Sequence, residues 1–254
     1  RAERNKISKE ISELKKEKKD TSKLLKKAKE IPEEIKKVEQ KTSHLEEEIS
    51  SLLQQIPNIM NKAIPIGKDS SENIEDKKIG KIPKFSFQPK NHIELGEALN
   101  ILDFNLSAKT SGTGFYYMKS DLALLNQALI RFGIEKMISK GYTYIETPLM
   151  LRGSIIKNVT DLNDQKNQIY KIEEEDLYLI GTSEHSLIGR FIDSILHENE
   201  LPIKNTSYSM CFRKEIGSHG IEEKGIYRNH QFNKVEMVII CNPNESMKYF
   251  EEAK

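Results

Sequence analysis

The chain is 254 residues long, 37% apolar and 31% charged, with 40 Lys or Arg against 39 Asp or Glu, enough for one large or two ordinary domains. No apolar run approaches the roughly 18 residues of a membrane helix and no charged-then-apolar leader opens the chain, so a cytoplasmic protein with no membrane partner is expected. Cys211 and Cys241, the two cysteines, offer neither a disulfide framework nor zinc-ligand spacing, so no metal ligand is assigned.

Arg1–Leu14 reads as helix interior, with Ile7, Ile11 and Leu14 on one face; as the first residue is not Met, more chain is expected upstream. From Ile31 the apolar positions Ile35, Val38, Leu45, Ile49, Leu52 and Ile56 follow in steps of four and three with Thr42 between, a heptad seam. At ~1.5 Å per residue this rod is roughly 40 Å long. Arg1–Lys18 has the same spacing and Asp20-Thr21-Ser22 is turn chemistry, so residues 1–56 are expected to form an antiparallel helical hairpin. Its tip, Lys15–Lys29, holds eight lysines against Glu17 and Asp20. Such a cluster suits a polyanion partner, and it equally suits a solvated helix face.

Pro57, Pro65, Pro83 and Pro89 punctuate a linker over 57–90, before a globular domain at 91–254. Leu122, Leu125, Leu129 and Phe132 predict a helix from about Asp121 to Lys140, closed by Gly141. Strands are predicted at Tyr142–Thr147, Gln168–Ile172 and Leu177–Ile180, with a helix at Glu184–His197. Tyr208–Ile240 reads as a large antiparallel hairpin around Gly217, Gly220 and Gly225. Alternation would put Arg213 and Glu215 on one face of the first strand, and Arg228, His230, Phe232, Lys234 and Glu236 on one face of the second. An amphipathic hairpin with one wet face has the same pattern. Asn242 and Pro243 open a last helix, with Glu245 three residues past the cap, and no stop signal precedes Lys254, so more chain is expected beyond it.

At these residues the chain resembles the seryl-tRNA synthetases, a class II aminoacyl-tRNA synthetase family. Phe212-Arg-Lys-Glu215 and Gly225–Met237 (GIYRNHQFNKVEM) resemble the family's motif 2. Thr182-Ser183-Glu184 resembles its serine-binding triplet, and the helix, strand and Pro148 resemble motif 1, which builds the dimer interface of class II synthetases. Leu95-Gly-Glu-Ala-Leu99 with Leu102-Asp-Phe104 resembles the start of the family's catalytic domain.

The resemblance implies an α+β fold: a class II antiparallel sheet flanked by helices, preceded by an N-terminal antiparallel α-helical coiled coil. It implies a serine–tRNA ligase that activates L-serine with ATP and passes it to tRNA(Ser), and to tRNA(Sec) where that is present, as a homodimer through motif 1. Activation brings a carboxylate against the α-phosphate of ATP, so the site needs fixed positive charge. By resemblance Arg213 bridges these two groups and Arg228 lies nearer the outer phosphates. Glu215 is implied to accept from the adenine amino group, Phe232 to stack on adenine, and Lys214, Asn229, His230 and Gln231 to line the ATP pocket. Thr182, Ser183, Glu184 and Glu236, with Arg213, are implied to bind serine, and Lys23, Lys26 and Lys27 to contact tRNA. The family's motif 3 and its acidic magnesium ligand are expected beyond Lys254, so the chain by itself is expected to be inactive. Glu222-Glu223-Lys224 stands where the family often has Asp-Thr-Arg. His185 is expected to serve the helix it opens. A ligase acting on a carrier protein and a catalytically dead scaffold are the rivals; the helical hairpin opposes the first and the intact motif 2 residues the second.

Overall fold

The computed structural model describes residues 2–17, 19–62, 64–160, 168–215 and 225–254. It divides into two units, Arg1–Ile79 and Gly80–Lys254.

In the first unit α1 (Ala2–Lys16) packs on α2 (Ser22–Gln54), burying Ile7 and Ile31, each 5% exposed. The helix α2 starts nine residues before the predicted seam, so Lys23, Lys26 and Lys27 lie on its first turns, and the Ser22 N–H bonds Asp20 Oδ1 at 2.9 Å. It runs through Pro32 although proline removes one helix hydrogen bond. At 15 residues α1 spans roughly 22 Å, less than half of the roughly 50 Å of α2 with its 33 residues. Further along α2, Val38, Ile49 and Leu52 are 63, 55 and 56% exposed. After α2 the described chain is exposed, with one short 3-10 turn at Ser70–Glu72 capped by Asp69.

The second unit opens with α3 (His92–Ala98), whose Asn91 side chain accepts from the Ile93 and Glu94 N–H groups while Glu94 Oε2 accepts from Asn91 N–H. A ribbon of β1 (Leu102–Asp103) and β2 (Tyr117–Met118) encloses α4 (Phe104–Thr110). Next comes α5 (Ser120–Ser139), one residue from its predicted limits. It lies on the large hairpin through Gly133, where an added Cβ would sit 3.1 Å from Val235 Cγ2.

The main sheet has the order β3 (Thr143–Tyr144), β6 (Ile203–Phe212), β7 (Gln231–Ile240). Its β6–β7 ladder is antiparallel from Ile203↔Ile240 to Phe212↔Gln231, whereas β3 runs parallel to β6. The predicted strand at Leu177–Ile180 forms as β5 (Leu177–Leu179) and pairs with β4 (Met150–Arg152), which was not predicted, while 168–172 contributes only the Lys171↔Tyr178 bridge and flanking bonds. The helix α6 (Gly153–Val159) follows β4. The helix predicted for Glu184–His197 is shorter: α7 (Ser183–Gly189) ends before Asp193, which adopts a left-handed φ of 56°, and Ile195 is left 91% exposed. Asn242 caps a 3-10 turn at Pro243–Glu245, and α8 (Ser246–Ala253) continues from it.

The hairpin begins five residues before its predicted start, because Asn205, Thr206 and Ser207 are polar yet buried. Conversely, Arg213, Glu215, Arg228 and His230 lie beyond the ladder. The alternation argument therefore holds only for Phe232, Lys234 and Glu236, which share the face opposite Val235 and α5. The helix α7 packs on β6 and β7, and Ile156, Ile180, Leu187 and Cys211 form the closed core beneath it.

Candidate active site

The turn from β5 into α7 brings Thr182 over the end of Glu236. As N-cap, Thr182 accepts the Glu184 N–H at 3.3 Å; its hydroxyl also accepts from Lys234 Nζ at 2.9 Å and donates to Glu236 Oε2 at 2.5 Å. Lys234 and Glu236 form an ion pair along the same face of β7. Arg213, just past β6, donates from Nε to the Gly181 carbonyl oxygen at 3.1 Å and lies 5.3 Å over the Phe232 ring. Its guanidinium is thereby held at one side of a cavity of about 450 Å³ bordered by Thr182, Glu184, His185, Arg213, Glu215 and Lys234, together with Thr160 and Ile169.

Glu215 pairs with Arg228 Nη1 at 3.0 Å and holds a left-handed φ of 48°, a conformation that costs a non-glycine residue about 1 kcal/mol and that often marks a functional position. His185 is 7% exposed. Its Nε2 lies 2.9 Å from Thr160 Oγ1, while Nδ1 has no partner. Burial first, then the charges of Arg213 and Lys234, push this imidazole down to about 4, so it is neutral at pH 7. Placing the proton on Nε2 satisfies the bond to Thr160 and leaves only a lone pair unpaired.

Two family models match the chain: residues 1–60 the seryl-tRNA synthetase N-terminal domain, and residues 168–253 the tRNA synthetase class II core domain (G, H, P, S and T). The serine–tRNA ligase of Methanocorpusculum labreanum is 44% identical over 252 residues, covering 99% of this chain and 59% of its own length. The structure of seryl-tRNA synthetase from Pyrococcus horikoshii complexed with ATP superposes with a TM-score of 0.86 at 36% identity, over 99% of this chain and 61% of that one. The cytoplasmic serine–tRNA ligase of Naegleria fowleri in complex with AMP gives a TM-score of 0.78 at 30% identity, over 99% and 59%. The chain belongs to the seryl-tRNA synthetase family. It spans about three-fifths of the length of these relatives.

Against the family's motifs, the structure gathers Thr182, Glu184, Arg213 and Glu215 around one cavity, with Glu236 tied in through Thr182 and Lys234. Phe232 lies beneath Arg213, and Ser183 is fully buried with an unpartnered hydroxyl. Other candidates lie apart. Gln231 lines a second hollow of about 300 Å³ with Ser107, Tyr116 and Asn233, and Phe232 borders this hollow rather than the cavity beside Arg213. Asn229 is buried with both amide atoms unpartnered. His230 ties the site's edge together, its Nδ1 3.0 Å from both the Tyr170 hydroxyl and the Arg213 carbonyl oxygen. The Lys214 ammonium lies 5.7 Å over the Tyr170 ring. Gly217, Gly220 and Glu222–Lys224 of the motif 2 loop fall outside the described residues. So does Lys18 of the lysine cluster.

Lys234 and Thr160 also border the cavity, though neither belongs to the motif residues assigned to ligands from the sequence. Strand alternation already aligned Lys234 with Glu236, whereas nothing local announces Thr160, which reaches the cavity only because α6 packs on α7. Among the described residues no group of three His, Cys, Asp or Glu side chains could hold a metal ion, so the magnesium implied by resemblance is assigned no ligand here.

Proposed function

We propose that the longer protein to which this chain belongs is a serine–tRNA ligase: it condenses L-serine with ATP to seryl-adenylate and transfers serine to tRNA(Ser), and to tRNA(Sec) where present. The observation that carries the reading is the cavity of about 450 Å³ with a fixed guanidinium, Arg213, on one side and the carboxylates of Glu184 and, through Thr182, Glu236 on the other. A zwitterionic amino acid presents the complementary pair of charges. Arg213 neutralises the serine carboxylate and the α-phosphate as they approach in line, and its bond to Gly181 sets the fork before the ligand arrives. Phe232 offers a ring to adenine, and Glu215 exchanges Arg228 for the adenine amino group as Arg228 turns to the outer phosphates. The serine hydroxyl is chosen because alanine would leave polar groups unpaired.

In this reading residues 1–56 hold tRNA through Lys23, Lys26 and Lys27, 57–90 link, and 91–254 hold the motif 1 and motif 2 chemistry. Magnesium accompanies ATP. The protein is a cytoplasmic homodimer, in keeping with Leu124, Leu129 and Phe132 on α5, which are 69, 60 and 66% exposed. No helix among the described residues is long and apolar enough to cross a membrane.

Amino-acid-dependent ATP–pyrophosphate exchange by the full-length protein tests the reading, with serine expected to drive exchange and alanine and threonine not. Glu236→Ala should lower serine activation roughly ten- to a hundredfold, the loss of one buried polar contact worth ~1–3 kcal/mol. Exchange that no amino acid stimulates, or that Glu236→Ala leaves intact, refutes the assignment.

A further inference from the structure

The acidic end of the cavity is already occupied by the protein itself. Lys234 and Glu236, two apart on β7, point the same way, and the ammonium of Lys234 is paired with Glu236 Oε2 while donating to Thr182 Oγ1 at 2.9 Å. The Thr182 hydroxyl has one proton and two lone pairs. All three are used, on Glu236, Lys234 and the Glu184 N–H. Lys234, rather than Glu236, borders the cavity. An arriving ammonium thus meets the carboxylate of Glu184, but at the Thr182–Glu236 cluster it meets the cation of Lys234 in place of Glu236.

A permanent strut in this place would be better served by a stiff, shape-matched donor. Lysine instead has a compact charge on a flexible four-carbon stem, able to swing away without moving the strand. Its side chain is 32% exposed against 15% for Glu236, so there is open space on the lysine side of the pair. From these contacts we infer that Lys234 is an internal stand-in for the substrate's ammonium: it holds Glu236 and Thr182 in the ligand-free site and is displaced when the amino acid binds. The inference rests on the proposal that this cavity takes an amino acid. It adds that the site stays closed to its ligand until one cation replaces another, so that apparent affinity is reduced by the fraction of molecules in which Lys234 has left. Serine lacking its ammonium, as in 3-hydroxypropionate, supplies no replacement cation and gains nothing from the exchange.

Calorimetric titration of full-length wild-type protein and Lys234→Met with L-serine and with 3-hydroxypropionate tests this. Lys234→Met should bind serine about three- to tenfold more tightly, because the competing cation is gone, and 3-hydroxypropionate more weakly, because Glu236 is left uncompensated beside an anion. Lys234→Arg keeps a cation and should not gain affinity. If serine binds Lys234→Met no more tightly than wild type, Lys234 is a strut and the inference is overturned while the site assignment stands. If the wild-type protein does not bind serine at all, the site assignment falls and the inference with it. A second measurement needs no variant to fold: the Lys234 Nζ resonance of the wild-type protein should shift and lose its protection from exchange on saturation with serine, and an unmoved resonance overturns the proposal.

Discussion

His185 carries a cost that depends on pH. Its folded-state value of about 4 lies well below the ordinary 6.5, because the ring is buried between Arg213 and Lys234. Between those values the unfolded chain binds a proton that the folded chain refuses, so stability falls as pH drops from about 6.5 toward 4 and is unaffected by this group above that range. A shift of this size corresponds to as much as about 3 kcal/mol at the acid end. His185→Leu removes the titration along with the bond to Thr160. It should be less stable than wild type at pH 7 yet lose less on acidification, as read from urea unfolding at pH 7, 6 and 5. Parallel pH profiles for the two proteins would mean that His185 does not titrate this way. Residue types announced the site's chemistry in Arg213, Glu215 and Glu236. Their partners were not legible, since Gly181, Arg228 and Thr182 are joined to them only across the fold.

Among the elements, α3 illustrates a strong local signal with a distant effect. The reciprocal Asn91–Glu94 cap starts a helix of only seven residues, too short to persist without it. Its first residue, His92, accepts the Ile226 N–H at Nε2 across 3.3 Å and meets Tyr227 edge-on at 4.7 Å. Gly225, at φ 88°, comes so close that any side chain there would strike the His92 ring. The short helix therefore anchors the chain that leads into Arg228. Asn91→Ala should cost about 1 kcal/mol in chemical denaturation and raise hydrogen exchange at Ile226 before β7 is affected. Unchanged exchange at Ile226 would show that the cap and the anchor are independent. The sequence writes this cap as Asn-x-x-Glu directly after the proline-punctuated linker, where no helix is predicted. The helix read past Asp193 erred the other way, since the apolar positions kept a helical period while the chain took a left-handed turn.

At the scale of the whole molecule, the division at Ile79 and Gly80 puts every residue proposed for serine activation in one unit and the lysines proposed for tRNA in the other. Deleting about Arg1 to Gln55 from the full-length enzyme should leave serine-dependent pyrophosphate exchange nearly intact and sharply reduce aminoacylation. Replacing Lys23, Lys26 and Lys27 by Ala should weaken tRNA(Ser) binding and flatten its salt dependence by up to about two to three units of logarithmic slope, with ATP use unchanged. Unaltered affinity and slope would leave those lysines as a solvated face. Loss of exchange from a deletion protein that is still folded would contradict the separation of the two tasks.

The sequence by itself determined the helical hairpin, α5 with its glycine stop, the long β6–β7 pair and the identity of the charged groups, because heptad spacing, capping residues and strand alternation act over a few neighbouring positions. Tertiary structure alone decided the rest. Thr182, Lys234 and Glu236 become one hydrogen-bonded unit only when α7 closes over β7. Buried polar residues such as Thr206 extend β6 against their hydropathy, because Thr206 Oγ1 donates to the Glu236 carbonyl oxygen at 2.7 Å, although the side-chain nitrogen of Asn205 beside it is left unpartnered. The Glu236 acceptor lies thirty positions away, a pairing that no local pattern encodes.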